Sequence, residues 1–444
     1  MGRALLTDLY ELNMAASYLK RGMTEPATFS LFVRDLPERW GFLVACGLQR
    51  CVEYLESFRF DEEDLAYLRS ELGYPSGTVD AFRSLRFTGQ VRAVAEGRPV
   101  FPDEPLLEVT APLPEAQLVE TYLLNQITYQ TAVASKAARC RLAAPDARLV
   151  DFSMRRVHGG EASIGVARAT AIAGFAATSN VEAARVLGLQ AAGTMAHSYV
   201  EAFPTEAEAF RAFAEDFPDR VVLLVDTYDT ARGVDKAIDI ATELKGAGRL
   251  DAIRIDSGDL GTLSGEARRA LDAAGLEDVE ILASGGLDED ALASLHRSGA
   301  PIDAYGVGTK IGVAEDAPAL DTVYKLVSYG GEPVAKLSVA KATLPGPKQV
   351  WRDRGFGGDV IGLAEEDGPE GTEPLLVPVL DGDRRLEDLS LAVARDRFAR
   401  EIDGLPPGLR SLDPEAPYRV ERTPALDRLA GRVMDDIRRR EGLV

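Results

Sequence analysis

Six short polar clusters, each directly after an apolar run, carry the side chains able to do chemistry in this sequence. They are Arg155 and Arg156 after DFSM, His197 after GTMA, Asp226 and Asp229 in DTYD, Arg254, Asp256, Ser257 and Asp259 in RIDSGD, Ser284 with Gly285 and Gly286, and Gly306, Gly308, Thr309 and Lys310 in GVGTK. The two glycine turns each lead toward a predicted helix, so their backbone N–H groups can face an anion while the helix dipole adds to the attraction. Together they predict a phosphate cradle. The carboxylates of Asp226, Asp229, Asp256 and Asp259 would repel that phosphate at contact distance. They suit ribose hydroxyls or Mg²⁺, whose hard-oxygen preference they match, or, taken singly, helix N-caps and solvated loops. His197, in a turn facing the same mouth, is the best candidate for nucleophilic or acid–base work. His158 in the HGG loop is open between ligand contact and loop, and His296, near the end of a predicted helix, reads as structural.

Groups so far apart in sequence meet only if the runs before them lie side by side. LVDF at Leu149, AAGTMA at Ala191, VVLLVD at Val221, AIRID at Ala252, EILASGG at Glu280 and DAYGVG at Asp303 alternate with Ala-rich amphipathic stretches at 161–177, 231–245, 264–274 and 289–297. This alternation is the pattern of βα units around parallel strands. The expected fold class is α/β, an irregular TIM-like barrel with fewer than eight regular units, whose ligand site lies at the carboxyl ends of the strands. The flanks read differently. Residues 28–34 and 87–110, punctuated by Pro99, Pro102 and Pro105, predict a β-rich layer, and 115–142 predict a linking helix. Extended segments return around 324–329 and 336–351, followed by an acidic, Pro/Gly-rich stretch and a last helix at 424–441. The expected domains are 1–112, a β-rich domain with a leading helix, 113–322, the barrel, and 323–444, a segment returning to the first domain.

A net charge of −21 repels polyanions at long range and argues against nucleic acid as a partner. Small phosphorylated ligands remain compatible, because screening confines that field to about 8 Å at physiological salt and a few local cations can reverse it. No apolar run reaches membrane-spanning length, and Arg3, Asp8 and Glu11 interrupt the first residues, so a cytoplasmic location without membrane contact is expected. Cys46, Cys51 and Cys140 show neither zinc-site nor disulfide spacing and are assigned to packing.

With these residues assembled, the chain resembles the nicotinate phosphoribosyltransferases, a branch of the type II phosphoribosyltransferases. The resemblance runs through TDLYELNMA at Thr7, FVRDLP at Phe32, DFSMRR at Asp151, TSNVEA at Thr178, GTMAHS at Gly193, DTYDT at Asp226, RIDSGDL at Arg254, ASGGL at Ala283, YGVGTK at Tyr305 and GPKQVW at Gly346. Motifs in this order are far more specific than any one of them.

The resemblance implies an enzyme that joins nicotinate to phosphoribosyl pyrophosphate with ATP as co-substrate and Mg²⁺ as cofactor, on the route to NAD. It implies a pyridine ring stacked on Phe152 and on Tyr10 of a neighbouring subunit in a homodimer. Arg155 and Arg254 would orient the ring and neutralise its carboxylate. Asp226 and Asp256 would contact ribose hydroxyls or Mg²⁺, with Asp259 and Ser284 beside them. Gly285, Gly286, Gly306, Gly308 and Thr309 would receive the 5′-phosphate. Arg34, Lys341 and Lys348 would assist with pyrophosphate, the two lysines across the dimer. His197 matches the histidine phosphorylated by ATP. Ser179 stands where nicotinamide-specific relatives carry an aspartate, so a neutral group there avoids setting one carboxylate against another. Some relatives hold a carboxy-terminal cysteine-rich zinc site; with no cysteine beyond Cys140, zinc is not expected here. The rival readings are a nicotinamide-using enzyme of the same fold, a catalytically silent phosphoribosyl-metabolite-binding protein, and a barrel isomerase or aldolase with Lys310 as its Schiff-base lysine.

Overall fold

The structure, a computed structural model, describes residues 4–244, 248–337 and 343–443. It divides into two compact units, Lys136–Asp316 and a second one formed by Met1–Ser135 with Ala317–Val444.

The contiguous unit is an α/β half-barrel. Its strands are β1 (Arg148–Asp151), β2 (Ala177–Thr178), β3 (Gln190–Ala191), β4 (Val221–Leu224), β5 (Leu250–Ile255), β6 (Glu280–Ser284) and β7 (Ala304–Val307). They lie in the order β3-β2-β1-β7-β6-β5-β4, and every neighbouring pair is parallel. Successive strands are adjacent and the first pairs with the last, the connectivity of a barrel wall, but no pairing joins β3 to β4 among the described residues. The curled sheet is therefore open along one seam. The expected barrel of fewer than eight units is what the chain forms, with β2 as a strand that the six apolar runs did not include. The predicted helix at 161–177 correspondingly stops early, at Ile172, and Ala177 opens β2.

Local chemistry explains the helix starts. Helices α1 (Gly160–Ile172), α2 (Val181–Leu187), α3 (His197–Glu201), α4 (Glu206–Asp216), α5 (Thr230–Glu243), α6 (Leu260–Ala273), α7 (Glu289–Arg297) and α8 (Thr309–Gly312) fill the connections. The side chains of Asn180, Asp229, Asp259 and Asp288 accept from backbone N–H groups in the first turns of α2, α5, α6 and α7, each cap contributing about 1 kcal/mol. These caps fall in the loops that leave the strand carboxyl ends, so the helix starts gather on that rim. Inside, Leu223, Ile253 and Ile281 from β4, β5 and β6 are fully buried with Val234, Ala237 and Ile240 from one face of α5. Each of the Leu, Ile and Val side chains stabilises the unit by roughly 1.5–3 kcal/mol at most.

The second unit is β-rich and draws on both chain ends. Its seven-stranded sheet places Pro26–Val33 between Thr322–Tyr329 and Pro105–Pro112, antiparallel to both, and continues through Gln90–Val94 to Leu376–Asp381. Four helices lie in stretches to which the sequence reading assigned no helix: Leu48–Ser57, Glu62–Ser70, Ser76–Ser84 and Leu391–Gly404. The last buries Ala394, Phe398 and Ile402 at helical spacing inside the acidic tail. The three cysteines are buried free thiols, and burial holds the Cys51 and Cys140 thiols well above their ordinary range, in keeping with packing roles. Among the described residues no helix is long and apolar enough to cross a membrane.

Candidate active site

The carboxyl ends of β1, β5, β6 and β7 surround a cavity of about 220 Å³. Phe152, Arg155, Arg254, Asp256, Ser284, Gly285, Gly286, Gly306, Gly308 and Thr309 line it together with Arg156, Leu287 and Lys310. Ten of the residues expected at a ligand site thus line one cavity. The cavity is also locally basic in an acidic chain: Arg155 and Arg156 are exposed and have no ion-pair partner among the described residues, while Lys310 is paired with Asp288. An anionic ligand is the natural occupant.

Phe152 follows β1, and its amide donates to the Val307 carbonyl at 2.8 Å. Its ring covers Gly306, where a Cβ would lie 2.5 Å from two ring carbons. Gly306→Ala is expected to cost roughly 1–3 kcal/mol through that overlap. Urea unfolding of the purified variant beside the parent chain measures it, and equal midpoints would mean that the ring has room to retreat. Gly285 is constrained twice, by a φ of +98° and by the Asp256 carbonyl 2.0 Å from where a Cβ would sit.

Arg254 organises the opposite wall. Its guanidinium donates to Ser284 Oγ at 2.8 Å, to Thr194 Oγ1 and the Met195 carbonyl at 3.3 Å each, and to Asp256 Oδ1 at 2.6 Å. It also lies 5.5 Å from the centroid of the Phe152 ring, a favourable cation–π placement. The Ser284 hydroxyl donates to the same Asp256 oxygen. Burial alone would push the Asp256 carboxyl up; the Ser284 hydroxyl, the Arg254 guanidinium and the nearby His197 outweigh it and hold the group below the usual carboxylate range. Asp256 is consequently an anion at neutral pH.

His197 opens the five-residue helix α3. Its Nδ1 is 3.2 Å from Thr227 Oγ1, and its Nε2 is 3.9 Å from Asp256 Oδ2. With a side chain 40% exposed, it stays reachable from solvent. Asp226 Oδ2 accepts from the Asp256 amide at 3.0 Å and the Ser257 hydroxyl at 2.6 Å. Its Oδ1 is buried with no hydrogen-bond partner among the described residues. Among those residues no three or more His, Cys, Asp or Glu side chains are arranged to hold a metal ion, so a hard cation here would complete its shell with water or with oxygens of a ligand.

Other expected residues stand elsewhere. Asp259 is exposed and caps α6, accepting from the Thr262 amide at 3.2 Å and hydroxyl at 2.7 Å, and Asp229 caps α5 in the same way; neither lines the cavity. Ser179 directly follows β2, its amide donating to the Asp151 carbonyl at 2.7 Å. Tyr10, Arg34 and Lys348 belong to the second unit. Tyr10 is half exposed on helix Leu9–Lys20, and Arg34 pairs with Asp321 at 3.2 Å. Lys348 is 3% exposed and donates to the Gly346 and Leu344 carbonyls at 2.7 and 3.2 Å, with Glu108 at 3.5 Å; burial pushes its pKa down. Lys341 lies outside the described residues. Sequence reasoning missed Thr194 and Thr227, which hold Arg254 and His197, although both stand inside recognisable motifs.

The chain matches the model of the nicotinate phosphoribosyltransferase N-terminal domain over residues 5–128 and that of the nicotinate phosphoribosyltransferase family over residues 147–344. It is 49% identical to the nicotinate phosphoribosyltransferase pncB2 of Mycobacterium tuberculosis over 92% of this chain and 89% of that protein. It is 44% identical to the nicotinate phosphoribosyltransferase of Bacillus subtilis over 82% of this chain and 76% of that one. The crystal structure of human nicotinic acid phosphoribosyltransferase superposes with a TM-score of 0.87 at 31% identity, covering 96% of this chain and 99% of the human one.

Proposed function

This chain belongs to the nicotinate phosphoribosyltransferase family, and on that basis we propose that the cavity of its half-barrel joins nicotinate to phosphoribosyl pyrophosphate, giving nicotinate mononucleotide and pyrophosphate for NAD synthesis. The observation that carries the assignment to this cavity is Arg254, a guanidinium beside the Phe152 ring in a lining shared with Arg155 and Arg156, which have no ion-pair partner among the described residues. An aromatic ring bearing a carboxylate finds there both a face and a counter-charge. Phe152 carries the pyridine ring, and Arg155 with Arg254 takes up its carboxylate. The turns at Gly285, Gly286, Gly306, Gly308 and Thr309 hold the 5′-phosphate, and Asp226 and Asp256 face the ribose.

Transfer proceeds at C1 of the ribose. The C1–oxygen bond to pyrophosphate breaks through an oxocarbenium-like state, and the pyridine nitrogen, held in line, forms the new C–N bond. Arginines beside the departing pyrophosphate stabilise its charge. Mg²⁺ fits next to Asp256 of the cavity and Asp226 behind it, because each keeps one carboxylate oxygen free of hydrogen bonds among the described residues. Bound there, it would neutralise negative charge on the phosphates.

His197 accepts the γ-phosphoryl group of ATP, releasing ADP, and water later returns it as phosphate. The added charge, close to −2, beside Asp256 links ATP to substrate affinity. The working unit is a cytoplasmic homodimer, with Tyr10 of the partner subunit closing the ring slot and Arg34 assisting at pyrophosphate. The deciding experiment incubates the purified protein with Mg²⁺, phosphoribosyl pyrophosphate and either nicotinate or nicotinamide, with and without ATP. Mononucleotide from nicotinate together with ATP hydrolysis is expected, and efficient use of nicotinamide instead would overturn the substrate assignment. Ser179→Asp is expected to shift the nicotinate-to-nicotinamide ratio of kcat/KM by roughly ten- to a hundredfold towards nicotinamide, the effect of one mismatched polar group.

A further inference from the structure

We infer that Asp151 is a positioning residue that fixes Phe152 and Ser179 relative to each other and thereby sets the enzyme's preference for the substituent on the pyridine ring; the inference rests on the reading of the cavity given above. Asp151 ends β1 and Thr178 ends β2, directly opposite one another in register. The next residue of each strand is Phe152 on one side and Ser179 on the other. The Asp151 side chain reaches both strands. Its Oδ1 accepts from the Ser153 amide at 2.9 Å and the Ser153 hydroxyl at 2.5 Å, pinning the residue after Phe152. Its Oδ2 accepts from the Thr178 hydroxyl at 2.8 Å, pinning the residue before Ser179. The Asp151 carbonyl takes the Ser179 amide at 2.7 Å. A single residue therefore ties the residue after Phe152 to the residue before Ser179.

The surroundings leave this clamp little slack. Thr178 Oγ1 also accepts from the Asn180 amide at 3.1 Å, and the Asn180 side chain donates to Ser163 of α1 at 2.9 Å while capping α2. Ser153 packs against Gly312, where a Cβ would lie 2.5 Å from Ser153 Cβ. Asp151 is 1% exposed, and the three donors to its carboxyl oxygens are all neutral. Burial raises its pKa, against the pull of those hydrogen bonds. A carboxyl kept in such a place costs desolvation, and its short, directional acceptor bonds supply geometry that no apolar side chain of its size would.

The test compares Asp151→Ala, Asp151→Asn, Thr178→Val and Phe152→Ala in the full chain, by steady-state kinetics with nicotinate, nicotinamide and phosphoribosyl pyrophosphate and by thermal melts. Asp151→Ala is expected to raise KM for nicotinate by about tenfold or more and to narrow the preference over nicotinamide, since a displacement near 1 Å costs on the order of a hundredfold in a positioned site. KM for phosphoribosyl pyrophosphate is expected to stay put. Asp151→Asn keeps an acceptor for Ser153 and is expected to restore most of the loss. Thr178→Val leaves the Ser153 arm intact while removing the β2 arm together with the Asn180 amide's bond to the same hydroxyl, and is expected to relax the preference with a smaller change in KM. An Asp151→Ala protein that melts normally, retains its preference and loses only kcat would overturn the inference. If Phe152→Ala leaves KM for nicotinate unchanged, the ring placement itself fails; if it raises KM while both clamp variants behave as the parent chain, only the positioning role falls. Should Asp151→Ala not fold, Thr178→Val and Ser153→Ala decide the matter by the same readouts.

Discussion

Arg254→Ala is expected to lower kcat/KM for nicotinate by roughly thirtyfold to several thousandfold, corresponding to about 2–5 kcal/mol for breaking a hydrogen-bonded charge pair at a binding site. The range is wide because the guanidinium does several things at once. It is the counter-charge of Asp256, the donor to Thr194 and Met195, and the cation beside the Phe152 ring. Removing it leaves Asp256, among the described residues, with the Ser284 hydroxyl and with His197 at 3.9 Å, in a cavity that then has one cation fewer for a carboxylate ligand. Arg254→Lys keeps the charge but not the planar fork, so it is expected to fall between parent and alanine variant. Steady-state kinetics with both substrates varied check this directly. A kcat/KM within threefold of the parent for the alanine variant would mean that the ring carboxylate is held elsewhere.

The second large effect concerns His197. In His197→Ala the acid-labile phosphoryl label acquired from γ-labelled ATP is expected to vanish. The stimulation by ATP, a coupling of the usual size of about five- to a hundred-and-fiftyfold, should vanish with it, while ATP-independent transfer persists at its basal rate. The structure motivates this through a short chain of contacts. His197 Nε2 stands 3.9 Å from Asp256 Oδ2, and the other oxygen of that carboxylate is bound by Arg254. A dianion added to the imidazole therefore acts first on Asp256 and next on the arginine proposed to hold the substrate. A label that survives in His197→Ala would remove the phosphohistidine, and a label that vanishes while ATP still stimulates would separate the two events.

Much of the fold was legible because its core strands are apolar runs of four or more residues between amphipathic stretches. VVLLV before Asp226 and EILA before Ser284 admit few other readings. Strand β2 escaped because two residues carry no periodicity, and its place is set by its neighbour: Ala177 and Thr178 pair with Val150 and Asp151. Helix Leu391–Gly404 was hidden by the composition of the tail around it, although Ala394, Phe398 and Ile402 repeat at helical spacing. At the site, the glycine turns and arginines were visible because their types are unusual after a strand. What stayed invisible was polar chemistry that depends on tertiary partners. Lys348 reads as a loop lysine until Glu108 is found beside it, and Asp151 reads as the last residue of a strand until Thr178 and Ser153 converge on its carboxyl. Asp259 shows the reverse case, where an acid that looked chemical spends its oxygens on the Thr262 amide and hydroxyl.

The sheet that gathers both chain ends also orders events during synthesis. Its inner strand Pro26–Val33 is made early, yet Ala27 must wait for Tyr329 before that side of the strand finds its hydrogen-bond partner. Until then a long row of unpaired amides and carbonyls stands open on a growing polypeptide, the kind of edge that recruits another copy. The half-barrel, by contrast, is one uninterrupted stretch and holds every strand of its sheet once Val307 has left the ribosome. The part that carries the cavity is thus the part least exposed to such waiting, and a nascent chain halted shortly before Thr322 would hold that cavity while still lacking one flank of its other sheet.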